Sequence, residues 1–244
     1  MAANDFEPDD HASPRRDAGV WLRATPSRKR RSPPLSTERI IAAAVELLDT
    51  DGAAQLTMRR LASQLQVSAT ALYWHVQTKD DVLDLALDHI FGDVAIPPET
   101  PDWRDDAAEL IRRWRTAMLD HPWAPGLIGR PMLGPNVLAR TEFLQEALAR
   151  SGLSGVDLEV ATHALANYVI GAAATQAAWR TVDSARGHDH ARDGLEQLKQ
   201  QYPTLSASGH LDPPHRDDSV VFDRGLDAVL NGVTATGLRS GRRS

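Results

Sequence analysis

Between Leu35 and Gly92 the apolar residues recur at helical spacing in four bursts, and each burst is opened by a serine or a threonine. Ser36 and Thr37 precede Glu38-Arg39, after which Ile40, Ile41, Ala44, Val45, Leu47 and Leu48 run to a stop at Asp51-Gly52. Thr57 offers an N-cap to a short segment, Met58 to Leu65, with Leu61, Ala62 and Leu65 facing inward. Ser68 offers another to Ala69 through His75, with Leu72 on the inner face. Thr78 opens a longer helix through Val82, Leu83, Leu85, Ala86, Ile90 and Phe91, ending near Gly92. The two middle segments are too short to hold as isolated helices, so they must pack on their neighbours. Joined by Gln66-Val67, they have the proportions of a helix-turn-helix, in which the first helix braces on the nucleic-acid backbone and the second enters the major groove. Ala62 suits the point where two such helices cross most closely.

After Gly92 the prolines Pro97, Pro98 and Pro101 mark a boundary, and helical patterns return at about Trp103 to Asp120, Asn136 to Ser151, Leu158 to Val182 and Val220 to Thr234. Pro122, Pro125, Pro131 and Pro135 break up the stretch between the first two of these. Ser184 to Asp218 is mostly polar and reads as loop, with one helical turn around Leu195 and Leu198. No strand pattern competes anywhere, so the fold class is all-α.

At 244 residues and 42% hydrophobic content the chain has material for real cores. The absence of cysteine excludes disulfides and thiolate metal sites and fits a reducing cytoplasm. No apolar run approaches a membrane span, and Met1 to Asp10 is acidic where a secretory signal would be basic, so neither export nor insertion is expected. The net charge of −6 alone argues against nucleic acid. Its distribution argues the other way, because residues 1–34 form an aperiodic arm that turns basic at Arg28-Lys29-Arg30-Arg31, just before the first helix. That run is read either as a solvated charge cluster or as an arm reaching into a minor groove. His188, Asp189 and His190 are good ligand types at unhelpful spacing, so no metal is expected, and no cofactor motif or catalytic constellation stands out.

Thr57, Arg59, Leu61, Ala62, Leu65, Val67, Leu72, Tyr73, His75, Lys79 and Leu83 stand in the register of the tetracycline-repressor (TetR) family. The resemblance covers about residues 36–92. It departs at Gln66, where the family's turn usually has glycine and a left-handed residue costs a non-glycine side chain about 1 kcal/mol. The resemblance implies an N-terminal head over 35–80, a helical effector-binding and dimerisation domain over 81–237, and a flexible tail at 238–244. It implies that Thr57 and Arg59 hold a phosphate and that Ser68, Ala69, Thr70 and Ala71 approach base edges. Tyr73, Trp74 and His75 resemble the contacting end of the recognition helix, and Lys79 a phosphate grip; Tyr73 and Trp74 are alternatively ordinary packing aromatics.

The same resemblance implies a homodimer through the helices at about 157–181 and 219–234, where Val160, Ala164, Gly171 to Ala174, Val220, Val221, Val229 and Val233 supply apolar surface. The other reading is that these helices only fill their own subunit's core. The effector, small and apolar or drug-like, is assigned Trp114, Met118, Arg130, Met132, Phe143, Asn167 and Trp179. His121-Pro122-Trp123 and Gly129-Arg130-Pro131 resemble the tetracycline-repressor subgroup. The function so implied is a homodimeric repressor of a palindromic DNA operator, released by its effector; the alternatives are an effector-independent regulator or activator and, further off, a helical small-molecule enzyme.

Overall fold

Among the described residues, a hydroxyl side chain starts each of the first four α-helices in the same way. In a computed structural model that describes residues 34–127, 132–185, 198–209 and 219–240, with backbone alone for 179–185 and 234–240, Ser36 accepts from the Arg39 amide at the head of α1, Thr37–Asp51. Thr57 does so with Arg60 for α2, Met58–Leu65, and Ser68 with Ala71 for α3, Ala69–Leu72. Thr78 closes a reciprocal capping box with Asp81 at the start of α4, Lys79–Gly92. Asp81 is held below the usual aspartate range by its bonds to the Thr78 side chain and amide and the Gln77 amide.

Each helix buries one stripe. On α1 it is Ile40, Ala43, Ala44, Leu47 and Leu48, and on α4 it is Val82, Leu83, Ala86, Leu87, Ile90 and Phe91. The two pack together and α2 closes against α1, with Leu61, Ala62, Leu65 and Leu72 completing the core of the head. Gln66 takes the left-handed conformation expected of the turn (φ 57°, ψ 41°), and the Val67 amide donates back to Ala62. α3 is shorter than its sequence pattern. It ends at Leu72, and Tyr73 to His75 form a tightened turn in which the His75 and Val76 amides both donate to the Leu72 carbonyl.

Four further long helices form the body: α5, Trp103–Asp120; α6, Pro135–Arg150; α7, Gly155–Ala185; and, after the short α8, Pro203–Ala207, α9, Ser219–Ser240. α8 falls where the polar sequence reads as loop, and α9 continues into the stretch expected as a tail. α5 packs on α6 and α7, α7 on α9, and α6 on α4, so α4 belongs to the head's core and to the body's wall at once. The boundary expected after residue 80 therefore falls inside α4. Among the described residues there is no strand, and no helix is long and apolar enough to cross a membrane. Residues 28–31, 130 and 188–190, and the side chain of Trp179, lie outside what the structure describes.

Candidate nucleic-acid interface and effector cavity

The turn after α3 carries its aromatic rings outward. Trp74 is 86% exposed and Tyr73 51%, and His75 beside them is exposed as well. Neither ring is an ordinary packing aromatic. Arg59 on α2 and Ser68, Ala69 and Thr70 at the start of α3 are exposed too, and Ala71 is half-buried. Two cations nearby are engaged within the head: Arg60 pairs with Asp51 at 2.5 Å, and Lys79, half-buried, donates from Nζ to the Ala53 carbonyl at 2.9 Å. The lysine bond ties the start of α4 to the α1–α2 connection and leaves two of its three N–H donors uncommitted by that contact.

The joint between head and body is built from backbone groups at two helix ends. Asp88 of α4 accepts from the amides of Asn136 and Val137, both at 3.0 Å, and from the Asn136 side-chain amide at 2.9 Å, so it caps α6 from a neighbouring helix. A side chain at Gly134 would run into the Asp88 carboxylate, which fixes glycine there. Arg140 of α6 returns the contact. Its Nε, Nη1 and Nη2 donate to the carbonyls of Val94, Asn136 and Gly92 at 2.7, 2.9 and 2.6 Å, closing the C-terminal end of α4. Burial draws the Arg140 pKa down while Asp88 and Asp93 act to hold its charge. A second tie runs from Asp49 of α1, whose carboxylate meets His121 Nδ1 at 2.8 Å and accepts from Trp123 Nε1 at 2.6 Å.

Behind the joint lies a cavity of about 240 Å³. Phe91 of α4, Trp114 and Met118 of α5, Met132, and Val137, Leu138 and Thr141 of α6 line one side of it. Thr162, His163, Ala166, Val169 and Ile170 of α7 complete the lining. Phe91 and Trp114 meet edge to face, their centroids 6.0 Å apart at 77°. Of the effector residues expected from sequence, Trp114, Met118 and Met132 come together here. Phe143 is half-buried against the core elsewhere, and Asn167 lies on the exposed face of α7 in a groove with Arg115, Tyr168 and Val221. Sequence reasoning picked out His163 as a possible polar anchor of the pocket but missed Thr162, Ala166, Val169 and Ile170 beside it on α7, although their helical spacing is visible. It also missed the α4–α6 joint, for which no local signal exists.

α7 and α9 leave apolar and small residues exposed along their outer faces, among them Val156, Val160, Ala164, Gly171, Val220, Val221, Ala228 and Gly232.

Three comparisons bear on this architecture. The family model for the N-terminal domain of bacterial regulatory proteins of the TetR family matches residues 40–86, and that for the tetracycline repressor-like C-terminal domain matches 97–236. An HTH-type transcriptional regulator of Saccharopolyspora erythraea is 46% identical over 220 residues, 89% of this chain and 92% of that protein. The HTH-type transcriptional repressor DrrR1 of Streptomyces coeruleorubidus is 29% identical over 82% of this chain and 78% of its own. Among solved structures, the TetR family protein ActR of Streptomyces coelicolor in complex with actinorhodin superposes with a TM-score of 0.72 at 29% identity, covering 84% of this chain and 99% of its own. The chain belongs to the TetR family of bacterial regulatory proteins, a family of DNA-binding transcriptional regulators rather than of enzymes.

Proposed function

We propose that this chain is a cytoplasmic homodimeric repressor that binds a palindromic DNA operator through α2, α3 and the turn after them, and that a small apolar molecule in the cavity releases it. The observation that carries the DNA half is the outward display of Tyr73, Trp74 and His75 on a capped, close-packed frame, with short side chains at Ser68 to Ala71 beside them. Arg59 and Lys79 serve the phosphates, and the basic run Arg28 to Arg31 adds charge suited to the same operator. The exposed small-residue faces of α7 and α9 suit a two-fold four-helix contact, which sets two heads about 34 Å apart, one turn of the duplex. The relative DrrR1 is named a repressor, and ActR is described with a bound small molecule; both support the reading by family.

Release follows from the joint. Phe91 lines the cavity from α4, and Val137, Leu138 and Thr141 line it from α6, the two helices that Asp88 and Arg140 fasten together. A ligand seated there favours one arrangement of the pair, and α4 carries that preference to the head. A gel-shift on DNA flanking the chain's own gene tests the reading: a palindromic fragment is retained by the wild type and lost on Tyr73→Ala with the dimer intact. Absence of any sequence-specific fragment at low salt would sink it.

A further inference from the structure

The stretch that approaches the base edges is chemically narrow. From Val67 to Val76 the chain holds no arginine, lysine, asparagine or glutamine, the side chains that make paired hydrogen bonds to purines. It also holds no aspartate or glutamate to accept from a cytosine amino group. The long polar side chains of the head stand on other elements: Arg59 and Gln64 on α2, Gln66 in the turn, and Gln77 before α4. What α3 exposes instead is carbon. Ala69 offers a bare Cβ and Thr70 its Cγ2 methyl, both exposed, while Leu72 is buried and Ala71 half-buried. The Ser68 oxygen accepts from the Ala71 amide at 3.2 Å, and single hydroxyls such as those of Ser68 and Thr70 serve donor and acceptor bases alike. The Tyr73 amide returns to the Ala69 carbonyl at 3.3 Å, so Tyr73 follows Ala69 on one helix face, and its ring is 51% exposed. Trp74 and His75 lie past the helix, in the tightened turn.

We infer that α3 selects its half-site by the 5-methyl groups of thymine, with Ala69 Cβ and Thr70 Cγ2 as the groups that meet them. The inference rests on α3 being the helix in the major groove, and it deepens that reading by naming the feature of the operator that is read. Thymine alone carries a methyl group in that groove, so a carbon surface at the right depth distinguishes it from the other bases without a hydrogen bond. Short side chains are what such a contact needs. The two carbons must come within about 4 Å, and a long side chain at 69 or 70 would hold the helix off. Charge does not oppose the approach, because no aspartate or glutamate lies between Gly52 and Lys79. Each methyl taken out of water is worth about a fourfold gain in affinity, and a two-fold dimer makes the contact in both half-sites.

The test starts from an operator that the full-length wild-type protein selects from random duplexes, with affinity then measured by fluorescence anisotropy. Replacing thymine by deoxyuridine removes the methyl and keeps the base pair. At one contacted position in each half-site together it costs about fifteenfold. 7-Deazaadenine opposite the same thymines removes the N7 that asparagine and glutamine read, and changes affinity by less than about twofold. Thr70→Ser, which deletes Cγ2 and keeps the hydroxyl, and Ala69→Gly each lower the deoxyuridine penalty, to about one at the thymine that the deleted carbon meets. A selected operator that tolerates deoxyuridine at every position overturns the methyl assignment and leaves the DNA-binding reading standing. Recovery of no specific sequence at low salt overturns the DNA-binding reading, and the methyl assignment with it. A loss that falls on 7-deazaadenine instead of deoxyuridine shows that the adenine side is read and overturns the inference. A deoxyuridine penalty unchanged in both variants takes the contact away from α3 and overturns it too. If Ala69→Gly lowers the helical content, as circular dichroism would report, Thr70→Ser decides alone.

Discussion

Trp74 and Trp114 occupy opposite extremes, one 86% exposed at the tip of the head and the other 6% exposed in the wall of the body's cavity. Trp74 presents a large apolar ring to water, and Trp114 holds a polar N–H away from any acceptor in the described chain. The two regions around them are held in shape by different means. In the head, four hydroxyl caps bind the amide three residues on, so the start of each helix is set by its own neighbours in sequence. In the body the fixing contacts join distant parts of the chain: Asp88 with Asn136 and Val137, Arg140 with Gly92 and Val94, Asp106 with Arg150, and Arg104 with Asp227. A head built from local rules is a rigid reading device. A body built from long-range ties has parts that a ligand can re-set, and α4 is shared by both.

That contrast makes graded predictions. The largest effect belongs to the tip: replacing Tyr73 and Trp74 together by alanine costs about hundredfold or more in operator affinity, measured by fluorescence anisotropy, while the melting temperature stays put because neither ring packs in the core. An equal loss of stability would show that the tip is structural. Next comes the joint. Asp88→Ala strands the Asn136 and Val137 amides and costs about 2 kcal/mol, or roughly 5 °C in thermal unfolding, and it weakens effector-dependent release more than operator binding.

Smaller effects sharpen the same division. Gln66→Gly relieves the left-handed residue and stabilises the head by about 0.5–1 kcal/mol in chemical denaturation with no change in operator affinity. In the body, burial pushes the Asp106 pKa up, but the Arg150 guanidinium and the Thr100 amide and hydroxyl outweigh it and hold the carboxyl below its ordinary value of 3.8. A lowered pKa stabilises the fold above the ordinary aspartate range, and the contribution is lost as pH falls through the depressed value. Acid unfolding of Asp106→Asn should accordingly show a shallower dependence on pH in that window than the wild type.

The same contrast explains what could be read in advance. Ser36, Thr57, Ser68 and Thr78 are start signals that lie within three residues of the amides they cap, so the head was legible nearly residue by residue. Its turn at Gln66 was the less legible part, because the glycine usual at that position is missing, yet the residue takes the left-handed conformation. The long body helices were legible as helices, because their apolar spacing repeats over many turns. Their partners were not. α7 is apolar on several faces, and nothing within 155–185 says which face meets α5, which meets α9 and which borders the cavity. Asp88, Gly134 and Arg140 look like solvent-side residues until α4 and α6 are side by side. Bulk and polarity alone suggest Phe143 and Asn167 for the pocket, and neither is among the residues that line the cavity. The short α8 escaped notice because its five residues carry too few apolar side chains to set a period.

The most direct test of the central claim is a hydroxyl-radical footprint of the protein on its selected operator. The account predicts two protected patches related by a two-fold axis and centred about one helical turn apart, both lost together when Tyr73 and Trp74 are replaced. A single patch, or even protection along the fragment that fades with salt and ignores the substitution, would contradict it.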